Sequence, residues 1–231
     1  MKLVKRSEFG WGSSGASYAK PARGLVIHYD GSDQGLAGKP HSACVTYWKN
    51  TRRFHVGSAR QWVDIGYSFG ACPHGYVLEG RGLNRAQAAQ PTGNTTFYSV
   101  TLMGGPGEEP TLEQINAVRE LRAWLMDKGV GPLVKGHRDF FPTSCPGDRL
   151  YQLVKDGTFG KAPTEEDDVD VNDVWHKAQI KMNKGEETES ERSPAAVLQE
   201  LETEQDRMKV RLDNLNGKLD AILDKLDALT R

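Results

Sequence analysis

Ten positions near the end of the chain constrain its folding most. Leu198, Leu201, Gln205, Met208, Leu212, Leu215, Leu219, Ile222, Leu226 and Leu229 alternate spacings of three and four without a break. All but Gln205 are apolar. A seam of period 3.5 specifies a coiled coil, because only helices wound around each other keep such a stripe in contact. A helix lying on its own domain would present a broader stripe of period 3.6. Residues 194–231 are therefore expected to form a coiled coil outside the globular part. They should make the protein a homo-oligomer through residues 198–229, with Gln205 at an a position setting the register.

Charge divides the chain in the same way. The net charge of −1 over 231 residues conceals +6 over residues 1–160 and −7 over 161–231. Residues 161–193 are acidic, polar and poor in aliphatics, so they read as a linker. A short helix at 171–182 can be drawn inside it, with Val171, Val174, Trp175, Ala178 and Met182 on one face. The basic front part suits an anionic polymer through long-range attraction. No basic run interleaves with aromatics, so nucleic acid is not the expected partner. No apolar run reaches the roughly 20 residues that insertion across a membrane requires. The N-terminal stretch "MKLVKRSEFGWGSSG" lacks the apolar segment of a secretory signal. Synthesis in a cytoplasm is expected, with action outside dependent on release.

Within residues 1–160, strands and helices alternate. "GLVIHYDGS" (24–32) is a buried strand with His28 at its end. "HSACVTYWKN" (41–50) is weakly helical. "DIGYSFGACPHGYVLEGRG" (64–82) reads as a hairpin around the turn "CPHG", and "TTFYSVTLMGG" (95–105) as a further strand. Thr111 and Gln114 have capping-box spacing before a helix whose Leu112, Ile115, Val118, Leu121 and Leu125 share a face. Gly129 is its expected stop. "LVKGHRD" gives a last strand and "DRLYQLVKDG" (148–157) a closing helix. This order predicts an α/β domain, a mixed central sheet flanked by helices.

Chemistry concentrates in "GHRDFFPTSCPGD" (136–148), where His137 and Cys145 share one loop. A catalytic zinc takes three protein ligands, commonly imidazole and thiolate, and keeps a fourth position open. His28, at the end of an apolar strand, is the histidine best placed to complete that set. His41, His55, His74 and His176 sit in turns or polar surroundings and read as structural. The spacing of His28, His137 and Cys145 lacks the short repeat of zinc fingers or zincins. A nucleophilic Cys145 with His137 as base stays open on residues alone. Cys44, Cys72 and Cys145 do not form a disulfide framework. Cys72 and His74 share a turn but show no partners for a second metal site. Trp11, Trp48 and Trp62 read as core, and Glu79 and Arg81 as a salt-bridged strand end with Arg81 a possible groove contact.

The segments "RSEFGW", "GLVIHYDGS", "DIGYSFGACPHGYVLEGRGLN" and "GHRDFFPTSCPGDRLY" resemble, in order and spacing, the type-2 N-acetylmuramoyl-L-alanine amidases. That group includes the peptidoglycan recognition proteins and the amidase endolysins of phages. The resemblance covers about residues 5–155 and implies a peptidoglycan recognition protein-like fold. It implies a zinc hydrolase cutting the amide between N-acetylmuramic acid and L-alanine in bacterial peptidoglycan, as in phage-induced host lysis. By position it makes His28, His137 and Cys145 the zinc ligands, and Tyr67 and Thr143 catalytic. Thr143 occupies a position that is Lys in some phage amidases and Thr in many recognition-type amidases. Members that only bind peptidoglycan lack the cysteine. The implied chemistry is water activated by zinc, with Tyr67 and Thr143 hydrogen-bonding the water or oxyanion. "FYSVTLM" lacks the Glu that some relatives carry, so the proton donor is open. The rival expectation is a non-catalytic peptidoglycan-binding module oligomerised by its coiled coil.

Overall fold

The computed structural model describes residues 1–163. The helix expected at 171–182 and the coiled coil expected at 194–231 lie outside the described residues. In chain order the strands are β1 (Lys2–Val4), β2 (Gly24–Tyr29), β3 (Phe69–Ala71), β4 (Tyr76–Glu79), β5 (Tyr98–Leu102) and β6 (Leu133–Gly136). The helices are α1 (His41–Val56), α2 (Leu112–Met126) and α3 (Asp148–Lys155). They form one sheet of order β1-β4-β3-β5-β2-β6. Its pairs are parallel except the β3–β4 hairpin, so the sheet is mixed, as the order of elements predicts.

The position of β2 explains its sequence. It lies between two parallel neighbours and is covered on both faces, which demands a continuous apolar run rather than alternation. Leu25 and Ile27 pack with Phe69, Val100, Leu102 and the apolar stripes of α2 and α3. The opposite face packs against α1 through Trp48, with Leu78, Met103 and Phe9. Side chains alternate along a strand, so His28 points to the α1 side while Ile27 points away from it.

Local details depart from the sequence reading. α1 extends to Val56, well past Asn50. Thr111 Oγ1 accepts the Gln114 amide at 3.1 Å, but Gln114 does not reciprocate as a capping box would. Its Nε2 donates to the Ala71 carbonyl at 2.8 Å and ties α2 to β3. α2 ends at Met126, ahead of Gly129, which takes a positive φ of 83° in the following turn. The parallel edge strand β1 carries too few residues to show a pattern and was not anticipated.

A buried ionic knot joins the motifs "RSEFGW" and "EGRG". Arg6 pairs with Asp64 at 2.9 Å, and Arg52 bonds the other oxygen of Asp64 at 2.7 Å. Arg6 also donates to the carbonyls of Gly12 and Gly80, and its amide donates to Glu79 at 3.0 Å. Arg81 does not pair with Glu79. It is buried and donates to the carbonyls of Ile65 and Ala86 at 2.6 and 2.8 Å. A Cβ on Gly80 would sit 2.3 Å from the Tyr67 carbonyl oxygen, so only glycine fits there.

Burial opposes ionisation of Asp64. Hydrogen bonds from Ser14, Arg52 and the Ile65 amide, with the charge of Arg6, outweigh it and hold the pKa below the ordinary 3.8. A depressed carboxyl pKa adds stability above the unfolded value, which is lost as pH falls through the folded value. Asp64→Asn strands two arginines and should cost about 3 kcal/mol near neutral pH, measured by denaturant unfolding. The gap to wild type should narrow as pH falls below 3.8. A deficit that does not vary with pH would remove the ionic knot from the account.

Candidate metal centre

Strand register places the first two candidate ligands. Ile27 of β2 is opposite Gly136 of β6, and His28 is opposite Thr101 of β5. His137 therefore leaves the sheet beside His28, as the chain enters a 3₁₀ turn over His137–Asp139. Asp139 fixes that turn by accepting the Gly136 amide at 2.8 Å and the Tyr151 hydroxyl at 2.7 Å. Arg138 bonds the Ser144 carbonyl and the Asp148 carboxylate, both at 2.8 Å, and so holds the cysteine loop. The two halves of "GHRDFFPTSCPGD" are thus tied to one another around Cys145.

The structure brings His28, His137 and Cys145 together, with one potential ligand atom from each inside a mutual separation of 4.8 Å. Cys145 Sγ is 3.6 Å from His28 Nδ1, and the two imidazole centroids are 4.6 Å apart. Tetrahedral zinc, with bonds of about 2.3 Å to sulfur and about 2.0 Å to nitrogen, sets the two atoms about 3.5 Å apart. His28 Nε2 faces Gln90 Oε1 at 2.9 Å. If Nε2 carries the proton, Nδ1 presents its lone pair toward Cys145. Both ring nitrogens of His137 are buried without a hydrogen-bond partner. Burying polar atoms unpaired is unfavourable, and a cation at the trio would satisfy one of them. The residues present fit a zinc ion.

Electrostatics agrees with that fit. Burial, then the nearby His137, lowers the His28 pKa to about 3 against the opposing Gln90 bond. Burial also lowers His137. Both imidazoles are therefore neutral near pH 7, as metal ligands must be. Burial pushes the Cys145 thiol up to about 12, so forming its thiolate calls for a cation.

The trio opens into a cleft of about 390 Å³ that Tyr67, Thr143, Asp30, His55 and Arg60 also line. The Tyr67 ring meets His28 edge-on with centroids 5.4 Å apart. Burial, then the charges of Asp30 and Cys145, raises the Tyr67 pKa well above its usual value, so its hydroxyl stays protonated. Thr143 Oγ1 accepts the Cys145 amide at 3.2 Å, which leaves its hydroxyl hydrogen available. β5 carries no carboxylate, and among the described residues the one acidic side chain lining this cleft is Asp30. Burial raises the pKa of Asp30 to about 7, and Thr101 donates to it at 2.7 Å.

Sequence reasoning misses Gln90 and Asp30, and reads His55 as structural only. Asp30 lay two residues past His28 inside "IHYDGS", which was its only signal. Gln90 carried none, since its role arises from a loop folding over β2. His55 accepts the Gly66 amide at 3.2 Å, a structural role, and also lines the cleft. Trp62 stacks on His55 at the rim rather than filling the core.

The mixed sheet thus gathers two imidazoles and a thiol, a set of metal-ligand side chains, beside the C-terminal end of β2 in an open cleft. The chain belongs to the N-acetylmuramoyl-L-alanine amidase family, whose model matches residues 18–148. Peptidoglycan-recognition protein SC2 of Drosophila simulans is 31% identical over 166 residues, spanning 69% of this chain and 88% of that protein. The N-acetylmuramoyl-L-alanine amidase of Sus scrofa is 34% identical over 119 residues, 48% of this chain and 19% of that longer protein. The structure of wild-type Drosophila PGRP-LB is similar with a TM-score of 0.60 at 29% identity, covering 67% of this chain and 92% of that one. A PGRP-LB mutant in complex with tracheal cytotoxin gives 0.59 at 29% identity, covering 66% of this chain and 92% of that one.

If Gln90 sets the His28 tautomer, Gln90→Leu should weaken zinc binding by about 10–100-fold, the usual effect of removing a ligand's outer partner. Competition against a chromophoric chelator measures it. An unchanged curve would assign Gln90 to packing alone.

Proposed function

We propose that this protein is a zinc-dependent N-acetylmuramoyl-L-alanine amidase acting on bacterial peptidoglycan. The convergence of His28, His137 and Cys145 in a cleft with Tyr67 and Thr143 carries the reading. The amidase and peptidoglycan-recognition relatives support it, as does tracheal cytotoxin bound to the related PGRP-LB fold.

His28, His137 and Cys145 would hold the ion as two neutral imidazoles and one thiolate. When bound, zinc supplies an activated water and polarises the lactyl carbonyl. Tyr67, kept protonated, donates a hydrogen bond to charge developing on the carbonyl oxygen. Thr143 offers a second donor from the cysteine loop. Asp30 is the one acidic side chain among the described residues that lines the cleft with the trio, which makes it the candidate for proton transfer to the leaving amine. Arg60, with Trp62 and Phe54 beneath its guanidinium, presents a cation to the anionic wall.

We place this activity in phage-induced lysis. The chain would be made in the host cytoplasm and reach the wall on release, with residues 198–229 coupling several domains on one wall to raise avidity. The resemblance to a group that includes phage amidase endolysins, together with an N-terminal stretch that does not read as a secretory signal, motivates the first part, and the heptad seam the second. Expression in a bacterial cytoplasm should clear the culture only once the membrane is permeabilised. Light scattering should give a full-chain mass of two or more copies. A monomer would end the avidity argument.

The direct test incubates purified protein with cell walls, with and without chelator. New N-terminal alanine is read against new reducing sugar. Alanine amines should appear, stop on chelation and be absent for Cys145→Ala. Tyr67→Phe should retain its zinc and lower kcat about 100-fold, the scale of a lost oxyanion donor. Wall binding without new amines, across several peptidoglycan types, would instead make the protein a non-catalytic binding module built around its coiled coil.

A further inference from the structure

The three cysteines are free, and two of them take no part in the cleft. Cys44 and Cys72 are both fully buried. His41 and Cys44, three residues apart in the first turn of α1, share one helical face. Cys72 and His74 sit on the β3–β4 turn. Fold contacts close these two pairs into a cluster whose four ligand atoms all lie within 4.8 Å of one another. Cys44 Sγ is 3.4 Å from His74 Nδ1, and Cys72 Sγ is 3.4 Å from His41 Nδ1 and 3.9 Å from His74 Nδ1. Those separations bracket the roughly 3.5 Å between sulfur and nitrogen in a tetrahedral zinc site.

We infer that His41, Cys44, Cys72 and His74 form a second, structural zinc site of Cys2His2 type. All four positions are protein ligands, so the site is closed, as structural zinc sites are. None of the four lines the cleft. The two thiols are linked: the hydrogen bond from Cys44 holds the Cys72 thiol below its usual value against burial, the amides of Tyr76 and His74 act with it, and the same bond raises Cys44. Such amide donors are the outer partners that orient and tune metal ligands. The His41 ring stacks on Tyr76 at 3.8 Å, and the Pro73 carbonyl accepts from Thr111 at 2.6 Å, so both arms are fixed. The sequence reading treated His41 and His74 as structural and found no partners for the "CPHG" turn; α1 supplies them. The site would clip the start of α1 to the hairpin that follows Tyr67.

Metal content of the full chain, purified under reducing conditions, tests this apart from catalysis. Wild type should hold about two zinc ions per chain, and Cys145→Ala and Cys72→Ser about one each. About one in wild type and none in Cys145→Ala would overturn the inference. So would a Cys72→Ser chain that keeps the wild-type content. Should Cys72→Ser fail to fold, mapped alkylation in the Cys145→Ala chain decides. Chelator should accelerate labelling of Cys44 and Cys72. Labelling that ignores chelator, or a Cys44–Cys72 disulfide, would leave these residues as hydrogen-bonded thiols without a metal.

Discussion

The register of β2 against its two parallel neighbours is the constraint on which the site depends. Ile27 opposite Gly136 and His28 opposite Thr101 bring two imidazoles from distant parts of the chain to one point. A slip of one residue would turn His28 into the apolar face formed with α2 and α3, and Ile27 into the cleft. The side chains of Leu25 and Ile27, packed with Phe69, Val100 and Leu121, prevent that slip. The core thus specifies the chemistry by excluding the slips that would exchange the two faces of β2.

The two clusters of metal-ligand side chains use burial in different ways. Around Cys145, burial dominates and the thiol is pushed up, so a metal must displace its proton. Around Cys72, hydrogen bonds from Cys44 and two backbone amides outweigh burial and lower the thiol, while Cys44, the donor, is raised. The first arrangement leaves a cleft on one side, with Tyr67 and Thr143 facing it. The second is enclosed by α1 and the β3–β4 turn. An open site suits exchange of substrate, and a closed one suits holding elements together.

His28 was legible because a histidine closing a continuous apolar run is presented by a buried strand. His137 and Cys145 were legible as a pair in one loop, but the three-residue set needed the family resemblance, as did Tyr67. Gln90 was not legible, since nothing local marks a glutamine that reaches a strand 62 residues away. The Cys2His2 cluster was hidden for a related reason. The helix was only weakly marked over 41–50, so the shared face of His41 and Cys44 went unseen, and its meeting with "CPHG" is a tertiary fact. The sheet and its hairpin were readable from apolar runs and turn residues. β1 was too short to signal itself.

The central claim is that His28, His137 and Cys145 hold a zinc ion at the mouth of the cleft. Crystals of the full chain, measured on both sides of the zinc absorption edge, test it without reference to activity. The account predicts an anomalous peak about 2.0–2.3 Å from His28 Nδ1, one ring nitrogen of His137 and Cys145 Sγ. Absence of that peak in crystals grown with zinc, with Cys145 hydrogen-bonded directly to His28, would contradict it.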